Sequence, residues 1–131
     1  MIDHLDHLVL TTSRPQACID FYTRVLGLRL EHFTGGTPPV QRVAFVFGQQ
    51  KINLHTQGAE FEPKAHLPVP GSQDLCFIAS VPLADVIARL QDAGWPIIEG
   101  PVPRTGATGP IRSVYVRDPD LNLIEIAEPV A

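Results

Sequence analysis

The sequence predicts an α+β fold built from two βαβββ modules, whose curved sheets form an open barrel-like cleft. The first observation behind this prediction is an internal repeat of 67 residues: Pro15 and Pro82 each begin a helix-like run, and Gly27 and Gly94 each end one. A repeat of this kind indicates a duplicated supersecondary unit. The second observation is that one module alone would expose one face of its sheet. Two modules therefore have to pair to enclose a core.

The first module follows from apolar patterning and turn residues. The run Leu5–Thr11 has the length and the Val and Leu content of a strand. Pro15 suits the first turn of a helix, and Gly27 suits the left-handed residue that ends one. Glycine-containing turns then separate three further predicted strands, at Leu28–Phe33, Arg42–Phe47 and Lys51–His55.

The second module repeats this order after a linker. Residues 56–73 contain three prolines and two glycines, a composition typical of a linker. A strand, a helix and three more strands are then predicted at Leu75–Ser80, Pro82–Ala93, Pro96–Glu99, Arg112–Arg117 and Leu123–Ala127. We therefore expect one domain over residues 4–128, with module one at 4–55, the linker at 56–73 and module two at 74–128.

Composition excludes several classes of partner. A net charge of −4 gives no basic surface for nucleic acid. No apolar run approaches the roughly 18 residues of a membrane-spanning helix, and the first residues lack the features of a signal peptide. Cys18 and Cys76 are expected on different elements as reduced thiols, which favours a cytoplasmic location. The expected partner is a small molecule, and the expected assembly is a homodimer.

Alternation along the strands predicts which side chains lie on the open face, the face of each sheet that points away from the helix. Leu8 and Leu10 should pack under the first helix, which leaves His7 on the open face. The same alternation places four more polar side chains on the open faces of strands four, five and eight, namely Asn53, His55, Asp74 and Glu125.

Imidazole and carboxylate together favour a site for Mn, Fe(II), Co, Ni or Zn. A structural alternative is that His7 bonds a backbone carbonyl and Glu125 pairs with a surface cation. In the glycine-rich run 104–110, Arg104 is predicted on a mobile flap, where this residue or Arg112 would meet an anionic substrate. Tyr115 is predicted to be a hydrogen-bond donor on the open face of strand seven.

Three stretches carry a resemblance to a known family. Residues 5–10 (LDHLVL), 21–28 (FYTRVLGL) and 117–126 (RDPDLNLIEI) resemble the vicinal oxygen chelate superfamily of glyoxalases, bleomycin-resistance proteins and extradiol dioxygenases. Residues 51–55 (KINLH), 60–65 (EFEPKA) and 99–107 (EGPVPRTGA) are similar to glyoxalase domain-containing protein 5 and its bacterial relatives. The resemblance covers roughly residues 4–128 and implies the open, two-module fold.

The resemblance also implies metal ligands on strands one, four, five and eight. His7 and Glu125 match the first and the last of these positions, while Asp74 stands where the family often has histidine. The fourth-strand position, a catalytic glutamate in glyoxalase I, falls on Asn53, which cannot move a proton between two carbons. His55, two residues on, can act as the base or complete the metal shell with Asp74.

The implied function is a divalent-metal-dependent lyase or isomerase that acts on a small, oxygen-rich substrate. His55 and Glu125 are its expected catalytic residues, and Asn53, Arg104 and Tyr115 are expected to bind substrate. Dioxygenation is less favoured, because Asp74 replaces the second histidine of the usual iron site. The alternative is a metal-free protein that sequesters a small molecule, as bleomycin-resistance proteins do.

Overall fold

The computed structural model describes residues 1–131 and divides them into two compact units, Met1–Ser72 and Gln73–Ala131. The first unit contains β1 (His7–Thr12), α1 (Pro15–Asp20), a π-helical turn (Phe21–Val25), β2 (Arg29–Gly35), β3 (Val40–Phe47) and β4 (Gln50–Thr56). The second contains β5 (Asp74–Ile78), α2 (Leu83–Asp92), β6 (Glu99–Thr105), β7 (Pro110–Arg117) and β8 (Leu123–Pro129). Each unit has the order βαβββ and one four-stranded sheet, which confirms the predicted α+β fold.

In the first unit the sheet order is β1-β4-β3-β2, with β1 parallel to β4 and the other pairs antiparallel. The helical segment packs on this sheet through Tyr22, whose ring stacks on Phe45 with 5.0 Å between centroids. Phe45 pairs with Ile52, and both are fully buried with Leu10. The alternation predicted for β1 and β4 therefore holds, with the apolar side chains on the helix side.

In the second unit the order is β5-β8-β7-β6, with β5 parallel to β8. Helix α2 contacts β7 and β8 and buries Leu83 and Leu90. Its first backbone N–H group, that of Leu83, donates to a Glu128 carboxylate oxygen at 2.8 Å. This contact satisfies one of the amide donors that a helix N-terminus leaves open.

The turn before β8 is fixed by a buried carboxylate. Asp118 is 2% exposed and its Oδ1 accepts from the backbone N–H groups of Asp120 and Asn122, both at 2.9 Å. Its Oδ2 accepts from Asn122 Nδ2 at 2.7 Å. Asn122 Oδ1 in turn accepts from the Gln73 N–H group at 2.8 Å, which ties this turn to the residue before β5.

The predicted position of the sixth strand is wrong. The strand runs over Glu99–Thr105 instead of Pro96–Glu99, and its pairing with β7 shifts between Glu99 and Val102. Gly100, at φ 105°, lies in this irregularity. The two prolines of the strand are tolerated because β6 lies at the edge of the sheet, where a missing N–H group breaks no ladder. Arg104 accordingly lies in a strand and not on a flap.

The glycines predicted to end the helices do adopt left-handed backbone, at φ 79° for Gly27 and 65° for Gly94. Contrary to the sequence prediction, the first helix is not α-helical throughout. After Asp20 it continues as a π-helical turn, in which the Leu26 N–H group donates to the Phe21 carbonyl at 3.0 Å. Neither helix has the length or the apolar run that a bilayer span requires.

Candidate functional site

The register of the first sheet places the predicted polar residues on its open face. In the parallel pair, His7 lies beside Lys51 and Thr11 beside His55, so their side chains point the same way. Asn53 lies between Val9 and Ala44 on this face. On β3, Val43 pairs with Leu54, so Arg42 and His55, the next residues along the two strands, also share the open face.

Three side chains on this face carry buried polar atoms without a hydrogen-bond partner. These atoms are Arg42 Nε, Asn53 Oδ1 and His55 Nδ1. His55 is only 5% exposed. Buried polar groups in folded proteins nearly always find a partner, because an unsatisfied donor or acceptor costs about 1–3 kcal/mol. Three such atoms on neighbouring strand positions therefore indicate a place for a ligand or for ordered water.

An aromatic ring from the segment after β4 lies against the same residues. The Phe61 ring centroid is 4.2 Å from Arg42 Cζ and 5.3 Å from the centre of the His55 ring. The contact with Arg42 is a cation–π interaction, and the contact with His55 is edge-to-face. Sequence analysis missed both Arg42 and Phe61. One signal was available for Arg42, which is the only charged residue of β3.

The protonation of His55 follows from this environment. Burial lowers its pKa from the ordinary value of 6.5, and the positive charge of Arg42 lowers it further, against an opposing effect of Glu60. His55 is therefore neutral at pH 7, the state in which an imidazole can accept a proton.

His7 lies at the exposed start of β1 and is oriented by its neighbour. Its Nδ1 donates to Asp6 Oδ2 at 2.8 Å, and this hydrogen bond lowers the pKa of the Asp6 carboxyl. With Nδ1 bound to a carboxylate, Nε2 is the nitrogen that remains for another ligand. Metal-binding histidines commonly have this carboxylate partner.

Glu125 lies on the open face of the second sheet, where three side chains surround it. Its Oε2 accepts from Ser113 Oγ at 2.6 Å, and the Tyr115 hydroxyl also donates to this carboxylate. Cys76 lies beside it in the β5–β8 register. Burial, the negative charge of Glu125 and a hydrogen bond to it raise the pKa of the Cys76 thiol from 9.0 to about 11.

Arg104 extends this network. Its Nε donates to the Tyr115 hydroxyl oxygen at 2.9 Å, and its Nη2 pairs with Glu99 at 3.2 Å. An arginine can only donate, so Tyr115 accepts from Arg104 and directs its own proton to Glu125. Arg104 therefore acts on Glu125 through Tyr115. The other predicted anion receptor, Arg112, pairs with Glu128 at 3.9 Å.

The structure thus brings Asn53 and His55 together with Arg42 in the first unit, and Glu125 together with Tyr115 and Arg104 in the second. Asp74 is exposed at the start of β5. In neither unit do three or more His, Cys, Asp or Glu side chains gather as a metal-ligating group. The prediction that His7, Asp74, His55 and Glu125 are metal ligands stays a prediction.

Comparisons with known proteins identify the family. The family model of the Glyoxalase/Bleomycin resistance protein/Dioxygenase superfamily matches residues 4–126. The chain belongs to this superfamily. The expected resemblance to the vicinal oxygen chelate group is thereby confirmed, whereas the closer likeness to glyoxalase domain-containing protein 5 stays a prediction.

Two curated relatives of this superfamily member are similar over most of the chain. Virulence protein STM3117 of Salmonella typhimurium is 56% identical over 99% of this chain and 87% of its own length. Its crystal structure covers 99% of both chains with a TM-score of 0.92. Glyoxalase domain-containing protein RDO1 of Mycosarcoma maydis is 56% identical over 94% of this chain, which spans 66% of that protein.

Two more distant structures share the fold alone. The fosfomycin resistance protein FosX of Listeria monocytogenes, solved with Mn(II), is 18% identical with a TM-score of 0.65 over 99% of this chain and 93% of its own. TnmS3, an antibiotic binding protein of Streptomyces, is 23% identical with a TM-score of 0.74 over 98% of both chains. One fold thus carries different functions.

Proposed function

We propose that the chain is a divalent-metal-dependent enzyme of the lyase or isomerase type that acts on a small, oxygen-rich substrate. The observation that carries this proposal is His55, a buried and neutral imidazole whose Nδ1 has no partner and which lies beside the charged Arg42. A structural histidine would use its buried nitrogen in a hydrogen bond. An unpartnered, neutral imidazole is instead suited to take a proton from a bound substrate.

The predicted ligands His7 and Glu125 fit a divalent cation by the chemistry of their donor atoms. The Asp6 carboxylate leaves Nε2 of His7 available, and Ser113 orients the carboxylate of Glu125. Such supporting hydrogen bonds are typical of metal ligands. Imidazole and carboxylate suit Mn, Fe(II), Co, Ni or Zn. When bound, the cation would supply Lewis acidity to two adjacent substrate oxygens.

The remaining roles belong to residues of the open faces. Arg42 binds a negatively charged substrate oxygen, and Asn53 accepts a hydrogen bond from a substrate hydroxyl. His55 is placed to take a proton from a substrate carbon and to return it to the neighbouring carbon in an isomerisation. Tyr115, held by Arg104, fixes the orientation of Glu125.

A second candidate is a metal-free small-molecule binding protein. The contacts of Glu125 favour it, because this carboxylate already accepts hydrogen bonds from Ser113 and Tyr115 and needs no cation to balance it. TnmS3, which shares the fold, is an antibiotic binding protein. A cytoplasmic homodimer is part of either proposal.

Metal content separates the two candidates. Protein purified without a metal-binding tag is analysed by plasma mass spectrometry, together with the variants His7→Ala and Glu125→Gln and the control Glu31→Gln, a partly exposed carboxylate that pairs with Arg29. The enzyme proposal expects close to one Mn, Fe, Co, Ni or Zn per chain in the wild type and the control, and strong loss in the two variants. A metal-free wild type that takes up no added divalent ion would leave the binding protein.

A further inference from the structure

The first sheet carries an arginine that has no carboxylate partner. Arg42 is half-buried, forms a cation–π contact with Phe61, and has a buried Nε–H group without an acceptor. Other arginines do have acidic partners, namely Arg24 with Asp20, Arg29 with Glu31, Arg104 with Glu99 and Arg112 with Glu128. A buried donor without an acceptor costs about 1–3 kcal/mol. An anion from outside the chain would supply the acceptor that the Nε–H group of Arg42 lacks.

The guanidinium of Arg42 is held in one place by its surroundings. Phe61 covers it on one side at 4.2 Å. The β2–β3 turn approaches it so closely that a Cβ atom at Gly36 would lie 2.9 Å from Nη2, and one at Gly35 would lie 3.3 Å from Nε. These glycines leave just enough room for the guanidinium. A donor that is fixed before the ligand arrives loses little entropy on binding.

The neighbouring unpartnered atoms define the rest of the ligand. Asn53 Oδ1 is an acceptor, so the ligand has to offer it a hydroxyl or amine proton. His55, at 5% exposure, presents Nδ1 without a partner on the adjacent strand position. A simple anion would accept a hydrogen bond from Arg42, but it has no proton to donate to the Asn53 oxygen. A ligand with an anionic oxygen next to a hydroxyl satisfies both.

We propose that Arg42, Asn53 and His55 form a binding site for a small ligand that carries a negatively charged oxygen next to a hydroxyl, as in a hydroxycarboxylate or a protonated phosphoryl group. Arg42 Nε–H donates to the anionic oxygen, the hydroxyl donates to Asn53 Oδ1, and His55 Nδ1 completes the contacts. This inference deepens the proposed function by naming the substrate class, and it does not require the metal.

The test is an NMR titration of chelator-treated protein with four probes: glycolate, acetate, glycolamide and inorganic phosphate. Wild-type protein is expected to bind glycolate at millimolar concentration and to bind acetate and glycolamide about tenfold more weakly, because each lacks one of the two groups. Phosphate that binds more tightly than glycolate would assign the phosphoryl source, and the reverse order would assign the carboxylate source.

Variants assign the binding to these residues. Arg42→Met keeps the apolar stem against Phe61 and should weaken glycolate binding by about ten- to a hundredfold, the usual loss for a charge-assisted hydrogen bond. Arg42→Lys keeps the charge without Nε and should show an intermediate loss. Asn53→Asp, which adds a negative charge, should also weaken binding. The matched control Arg29→Met removes an exposed, paired arginine of the same sheet and should bind like the wild type.

The proposal is overturned if the wild type binds none of the anions below about 50 mM, a limit that corresponds to a binding free energy of about 1.8 kcal/mol. It is also overturned if both Arg42 variants, shown to be folded by thermal melting, bind glycolate within about twofold of the wild-type affinity. Equal binding of glycolamide and glycolate would overturn it as well. Because the titration is metal-free, its failure leaves the proposed metal dependence untouched. Conversely, anion binding by a protein that takes up no metal would contradict the enzyme proposal alone.

Discussion

The thiol of Cys76 reports on the open face of the second sheet, because Glu125 lies beside it. Cys76 is an exposed residue whose sulfur is partly shielded from water. This shielding, followed by the charge and hydrogen bond of Glu125, raises the pKa of its thiol from 9.0 to about 11. This increase in the pKa lowers the fraction of Cys76 present as thiolate at pH 8 by about a hundredfold. A thiolate of higher pKa is more nucleophilic, which recovers about tenfold. We therefore expect Cys76 to react with iodoacetamide about tenfold more slowly than an ordinary exposed cysteine.

The dependence on Glu125 makes this prediction specific. Glu125→Gln removes the charge and should lower the pKa of Cys76, which accelerates alkylation by a few-fold after the same correction. Asp74→Asn should have a smaller effect, because Asp74 is the weakest contributor to this pKa. Glu31→Gln, on the first sheet, should have none. Each rate is measured on the peptide that contains Cys76 by mass spectrometry between pH 7 and 9.5.

The rate for wild-type Cys76 should rise tenfold per pH unit over this whole range. A rate that levels off near pH 9, or a Glu125→Gln variant that reacts at the wild-type rate, would refute the placement of Glu125 beside the thiol. Such a result would also remove the reason to regard this carboxylate as the centre of the Ser113 and Tyr115 contacts.

Other predictions concern stability and metal affinity. Asp118→Ala leaves three hydrogen-bond donors without an acceptor and should lower the free energy of unfolding in urea by about 3–5 kcal/mol. Asp118→Asn should lose less. A loss under about 1 kcal/mol for Asp118→Ala would contradict the role of Asp118 as a buried acceptor. Because the pKa of His55 is lowered on folding, the unfolded chain binds its proton more readily below pH 6.5, so stability falls as the pH drops through that value. His55→Gln should lose less stability between pH 7 and 5.5 than the wild type, and an equal loss would refute this sign. Gly100→Ala should lower the melting temperature, because its Cβ would lie 2.4 Å from the Ser113 carbonyl oxygen; an unchanged melting temperature would show that β6 shifts freely. Ser113→Ala should weaken Mn²⁺ binding about ten- to a hundredfold, measured by equilibrium dialysis, and unchanged affinity would exclude Ser113 as a support of a metal ligand.

The repeat and the strand alternation predicted most of the fold. The glycines at 27 and 94 mark helix ends that only a left-handed residue can form, so sequence alone located them. The sixth strand could not be located in this way. Its glycine and prolines resemble a loop, and only the pairing with β7 shows that an irregular edge strand accommodates them.

The site was predictable only where one strand determined it. Alternation placed Asn53 and His55 on the open face of β4, and the register confirms that placement. Arg42 was missed because its importance comes from contacts across strands and from Phe61, which lies in a segment predicted to be a linker. Arg104 was assigned to a flap because its pairing with Tyr115 depends on the β6 register. Long-range pairing of this kind leaves no local pattern in a sequence.

The measurement that tests the central claim most directly is a Mn²⁺ titration of chelator-treated protein, followed by the electron paramagnetic resonance signal of free Mn²⁺. Wild-type protein is expected to remove about one equivalent from solution, and His7→Ala and Glu125→Gln should each remove far less, while Glu31→Gln behaves like the wild type. Wild-type protein that leaves the free Mn²⁺ signal unchanged, and that takes up no Zn²⁺ or Ni²⁺ in equilibrium dialysis, would contradict a metal-dependent enzyme. Uptake that persists in both variants would contradict the assignment of His7 and Glu125 as ligands.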